Sequence, residues 1–95
     1  MSNQLIGVYG EWYKAMTPAD KEIVAALTSE YAEQGAVSFN AFKASDLYKG
    51  KSSQDKQKAS ALFVKYSEVI KAVGPQKDKF FAYAFCVNGG GTNCK

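Results

Sequence analysis

A chain of 95 residues suits one domain and leaves little room for a second. Its apolar fraction of 46% and charged fraction of 22% are those of a globular protein and exclude global disorder. The net charge of +3 is mild, and all twelve positive side chains are lysine, so the arginine forks that read guanine or grip phosphate are missing and sequence-specific nucleic-acid recognition is not expected.

The first predicted element is a helix over about residues 3–15, where Leu5, Val8, Tyr9, Trp12 and Met16 recur at three- and four-residue steps. Gly7 and Gly10 each weaken it by about 1 kcal/mol relative to alanine, but they also let a second helix approach closely. The next helix, over 18–34, is marked at both ends. Thr17 can cap it, Pro18 suits the first turn, Asp20 and Glu22 lie near the positive end, and Gly35 can terminate it. Ile23, Leu27 and Tyr31 form its apolar stripe, with Val24 and Ala26 alongside.

Between Val37 and Lys49 a shorter helix is expected, capped by Ser38, with Phe39, Phe42 and Leu47 on its apolar side and Gly50 at its end. Another long helix starts at Ser52 or Ser53. Ala59, Leu62, Phe63, Tyr66, Val69, Ile70 and Val73 share one face, and Gly74 with Pro75 stops it. The run 80–87 is apolar nearly all round, which suits either a buried helix or a buried strand. Helix is preferred because no other segment reads as a partner strand. Gly89, Gly90 and Gly91 then stop it. The expected architecture is all-α: a single small bundle of four to five short helices over 1–88, followed by a flexible Gly-rich tail over 89–95.

Histidine is absent, which removes the commonest general base and metal ligand. Two cysteines are too few for a zinc site of Cys and His ligands, and both the Ser–His and Cys–His nucleophile arrangements are excluded. No metal or cofactor is expected, and an enzyme is not the favoured class.

Four features bear on function. Lys43, Lys49, Lys51, Lys56 and Lys58 cluster within one stretch, answered only by Asp46 and Asp55. They form either a docking face for an acidic partner, a nucleic-acid backbone or an anionic membrane surface, or simply a solvated loop, the blander reading. Tyr9, Trp12 and Tyr13 lie together. Packing inside the core accounts for all three, yet if Trp12 faces the core, Tyr13 lies about 100° round the helix and is free for contact. The 80–87 run is either the central helix of the bundle or the seam of a homodimer through Phe80, Phe81 and Phe85. Cys86 and Cys94 are spaced to close a small disulfide loop, with a buried thiol and a free thiol as the alternative.

The leading expectation is a protein-binding module, an inhibitor or adaptor that occupies a site on a partner through Trp12, Tyr13, Lys43, Tyr48, Lys49 and Lys51. The alternative is a carrier of an apolar ligand such as a fatty acid. With no apolar run near the ~18 residues of a membrane span and no signal-peptide pattern, the expected location is the cytoplasm, or outside the cell if Cys86 and Cys94 are joined.

Overall fold

A computed structural model describes residues 3–91, 93 and 94, and the side chains from Val8 onward. The Leu5 side chain of the first stripe, and Thr92 and Lys95 of the tail, therefore lie outside what is described.

The regular structure among the described residues is helix, with no strand. α1 (Asn3–Lys14) leads through a short turn to α2 (Pro18–Gln34). Thr17 Oγ1 accepts the Asp20 N–H at 3.2 Å, replacing one of the hydrogen bonds that a helix start lacks. At the far end Gly35, at φ 78°, returns its N–H to the Tyr31 carbonyl, a left-handed cap that glycine adopts without steric penalty. The expected single helix across 37–49 is broken into α3 (Phe39–Lys43) and α4 (Asp46–Lys49). Ser45 makes the break: its hydroxyl donates back to the Phe42 carbonyl at 2.6 Å, and its own carbonyl accepts the Lys49 N–H. Counting that pair as one interrupted helix gives five.

α5 (Ser53–Val73) is capped by Ser52, whose Oγ accepts the Asp55 N–H at 3.2 Å. Gly74, at φ 60°, ends it and begins a 3-10 turn (Gly74–Gln76) that leads into α6 (Lys77–Asn88). The ambiguous 80–87 run is therefore helix.

α6 packs against α1, α2 and α5, which is why it is apolar on so many sides. Phe80 and Ala84 are fully enclosed, and Tyr83 and Val87 nearly so. Enclosing Phe80 alone contributes about 2–3 kcal/mol relative to leaving it in water. This corrects the dimer expectation at one residue: Phe80 faces the centre of the bundle against Tyr9, Tyr66 and Phe81 and has no surface for a second chain. Phe85 is 46% exposed and Phe81 half-buried.

α1 and α6 touch where Gly10 lies under Tyr83. A Cβ at Gly10 would come within 2.6 Å of the Tyr83 hydroxyl, so the close approach anticipated from the glycine depends on it having no side chain.

Candidate interaction surface

The residues with a claim on function fall into three places. The first is a ledge formed by α3 and α4. Phe42 is its buried root, stacked 5.1 Å from Phe63 and edge-on to Tyr48 at 5.5 Å. Phe39, one turn earlier, lies 5.3 Å from Phe63 and is 38% exposed. Two lysines lean on these rings: Lys43 Nζ lies 4.9 Å from the Phe39 centroid, and Lys56 Nζ, from α5, lies 5.6 Å from that of Tyr48. Each such contact is worth about 0.5–1 kcal/mol at an exposed site and holds the ammonium above an apolar surface. Lys49 is exposed on α4. Lys43, Tyr48 and Lys49 thus belong to one surface, and Phe39 and Lys56 join them.

Beside the ledge, between it and α2, is a cleft of about 240 Å³ lined by Ala26, Leu27, Glu30, Val37, Phe42 and Leu47, among others. Its walls are mostly apolar, with Glu30 among the lining residues. α3 and α4 serve both features, turning Phe42 and Leu47 toward the cleft while carrying Lys43 and Lys49 outside.

The second place is a smaller polar cleft of about 150 Å³ where the starts of α2 and α5 meet. Lys51 lines it, together with Lys58, Asp20 and Asp55. Lys51, two residues after Lys49, thus borders this second cleft, with Asp20 and Asp55 also in its lining.

The third place is the interior around Asn88, and it accounts for Tyr13. Tyr13 is only 6% exposed, stacks at 6.3 Å on Tyr9, and donates its hydroxyl to the Asn88 carbonyl at 3.2 Å. It is a core residue, not a contact for a partner. The physical reason is that Tyr9 and Tyr13, four residues apart, together form the inward stripe of α1. Trp12 sits on the flank of that stripe, half-buried and edge-on to Tyr9 at 6.0 Å.

The same interior holds a polar network that sequence reasoning missed. Tyr9 donates to Asn88 Oδ1 at 2.8 Å, and Asn88 Nδ2 donates to Thr28 Oγ1 at 3.1 Å. Tyr66 donates to the same Thr28 oxygen at 2.8 Å, and Thr28 passes its own proton to the Val24 carbonyl at 2.8 Å. One residue each from α1, α2, α5 and α6 is joined, with Thr28 fully buried. Burial pushes the Tyr9 phenol up to about 12, and hydrogen bonding to Thr28 and Asn88 only partly counters it. Burial raises Tyr66 further still. The sequence signal available for this network was a hydroxyl on an apolar stripe, Thr28 one turn after Val24, together with tyrosines on facing stripes whose hydroxyls need partners.

Cys86 and Cys94 are joined in a disulfide. Within the loop it closes, Gly91 returns its N–H to the Cys86 carbonyl at 2.9 Å, and a Cβ at Gly91 would lie 2.5 Å from one sulfur and 3.0 Å from the other. Among the described residues no three Cys, Asp or Glu side chains gather as metal ligands, and no helix is long and apolar enough to cross a membrane. Compared with known proteins, the chain matches no family model, no curated protein and no solved structure.

Proposed function

We propose that the protein is a binding module that occupies a site on a partner protein through the α3–α4 ledge and the cleft beside it. The observation that carries this reading is the pairing of the two features. Exposed Phe39, Lys43 and Lys49, with half-buried Tyr48, lie beside an apolar cleft large enough for one bulky side chain. Aromatic anchors with peripheral charges are the usual composition of an energetic hot spot. The charge on the ledge selects an acidic segment, and the cleft selects a segment with a leucine-sized or aromatic anchor. Trp12 on α1 and Lys51 at the polar cleft remain peripheral candidates.

The other readings have less support. A fatty-acid carrier needs a cavity of roughly 300 Å³ or more, and this cleft is smaller. A homodimer through α6 loses Phe80 to the core and is left with Phe85 and part of Phe81. The disulfide supports the secreted location over the cytoplasmic one.

The test uses short labelled peptides and fluorescence anisotropy. One peptide is rich in Asp and Glu with a central leucine, a second replaces that leucine by glycine, and a third replaces the acids by lysine. The first should bind best and weaken with salt. The Lys43→Glu/Lys49→Glu variant should lose about tenfold in affinity, equivalent to about 1.4 kcal/mol. Ala41→Trp, at an exposed position lining the cleft, should abolish the preference for leucine over glycine. Equal binding of the acidic and basic peptides would sink the proposal.

A further inference from the structure

We infer that the Cys86–Cys94 disulfide is a redox latch that holds α1 on the bundle through Asn88, and that a dithiol reductant releases α1 while the other helices stay folded.

The inference starts from how α1 is held. It packs chiefly on α6, and the hydroxyls of its two inward tyrosines both end on Asn88, Tyr9 on the side-chain oxygen and Tyr13 on the carbonyl. Asn88 is the last residue of α6, two positions after Cys86. Helix ends fray unless something ties them down. Here the following residues are Gly89, Gly90 and Gly91, whose N–H groups fold back onto the carbonyls of Phe85, Val87 and Cys86. Three glycines have the greatest backbone freedom to lose and no side chain to anchor the turn. The covalent anchor is the disulfide, and Gly91 fits against both sulfurs only because it has no Cβ. The bond adds to buried Val87 and the Asn88–Thr28 hydrogen bond in holding the last turn of α6, and with it Asn88.

α2 and α5 are differently placed. They pack on each other directly, and Tyr66 reaches Thr28 without passing through Asn88. Loss of the last α6 turn removes both α1 hydroxyl partners but leaves that contact intact. Elements of low local stability open separately from the rest of a fold in this way. The opened form uncovers Tyr9 and Tyr83, which face each other across α1 and α6 at 6.2 Å. Both cysteines are half-buried, not enclosed, so a small reductant can reach them. In the step itself the reductant's thiolate attacks one sulfur and the S–S bond breaks. Its second thiol then closes the reductant into its own disulfide. Two electrons and two protons pass to Cys86 and Cys94, which become thiols. The inference does not depend on the ledge or on any partner.

The experiment is hydrogen–deuterium exchange on the full chain with and without dithiothreitol, followed in parallel by the emission of Trp12, the single tryptophan, which lies on α1. Reduction should speed exchange of α1 and the end of α6 by about tenfold or more while α2 and α5 keep their protection, and should move Trp12 emission to longer wavelength. Oxidised Asn88→Ala, which loses the Tyr9 acceptor but keeps the carbonyl that Tyr13 uses, should speed α1 exchange by less than reduction does, and Cys86→Ser/Cys94→Ser should show the opened pattern without reductant. Unchanged α1 exchange on reduction of the wild-type chain overturns the latch. Equal acceleration in α1, α2 and α5 also overturns it, since the bond would then be a general staple. The wild-type comparison decides even if a variant does not fold.

Discussion

Thr28→Val is the sharpest perturbation of the interior, because the side chain keeps its shape and loses only its hydroxyl. In the wild-type protein that oxygen accepts from Tyr66 and from Asn88. After the change the Tyr66 hydroxyl, on a fully buried side chain, has lost its acceptor, which costs about 1–3 kcal/mol. Asn88 is half-buried and recovers water more readily, adding about 0–1 kcal/mol. The Val24 carbonyl loses a second donor but remains a helix acceptor, so it adds little. The sum is a loss of about 1–4 kcal/mol, a large share of the 5–15 kcal/mol typical of a domain. Urea unfolding followed by far-UV circular dichroism measures it, and an unchanged slope would show that the unfolded state is unaffected.

The decisive control is Tyr66→Phe in the same background. Removing the stranded donor should restore part of the loss, so the double variant should be more stable than the sum of the single effects by about 1–2 kcal/mol. A Thr28→Val variant within about 0.5 kcal/mol of wild type, or additive single changes, would refute the claim that the network contributes to stability.

Three further outcomes are expected. Stability should fall on raising the pH from 10 to about 12, because the Tyr9 phenol holds its proton more tightly folded than unfolded; its contribution is complete below the ordinary value and is lost at about 1.4 kcal/mol per pH unit across that window. Tyr66 acts with the same sign, and absorbance of ionised tyrosine against pH, read with the helical signal, checks both. Gly10→Ala should destabilise the wild-type chain, since overpacking against the Tyr83 hydroxyl costs about 1–3 kcal/mol against a helix gain of about 1 kcal/mol. In a Tyr83→Phe background, where the next atom is 3.8 Å away, the same change should become stabilising, as thermal melts would report. Gly91→Ala should favour the dithiol by about tenfold or more in a dithiothreitol redox buffer, because its Cβ meets both sulfurs and the Cys86 carbonyl; an unchanged equilibrium would mean that the loop yields easily.

What the sequence made legible was local. α2 is written at both ends by Thr17 with Pro18 and by Gly35, and its observed bounds match 18–34. The 80–87 run was ambiguous because period alone cannot separate a buried strand from a buried helix; contact with three other helices resolves it. The Tyr13 expectation failed at its premise. It took Trp12 as the inward residue, whereas the four-residue spacing of Tyr9 and Tyr13 defines the inward stripe. The Asn88 network was out of reach for a different reason. Its partners are separated by 60 and 79 residues, and no local pattern encodes which helices meet. On the ledge, the lysines were visible as a cluster, but the cleft was not, because it exists only once α2 and α3–α4 are side by side.

These corrections change what the aromatic content argues. An excess of rings in a short chain reads as surface left over for binding. Most of these rings are in fact consumed by the core: five of the six tyrosines are buried, and Phe42, Phe63 and Phe80 with them. Tyrosine fills a small core as a bulky apolar residue does, and its hydroxyls add directional bonds that favour one arrangement of helices over others of equal hydrophobicity. The case for binding then rests on the ledge aromatics that packing covers only in part, Phe39 and Tyr48, and on the lysines beside them. None of the ledge residues belongs to the Asn88 network, so the two can be perturbed independently. Lys43→Glu/Lys49→Glu should leave the urea midpoint within about 0.5 kcal/mol of wild type, whereas Thr28→Val should lower it and leave peptide affinity of the folded protein unchanged. A ledge variant that lost both stability and binding would mean that the lysines act by holding α3 and α4 in place, and the surface would no longer count as a site.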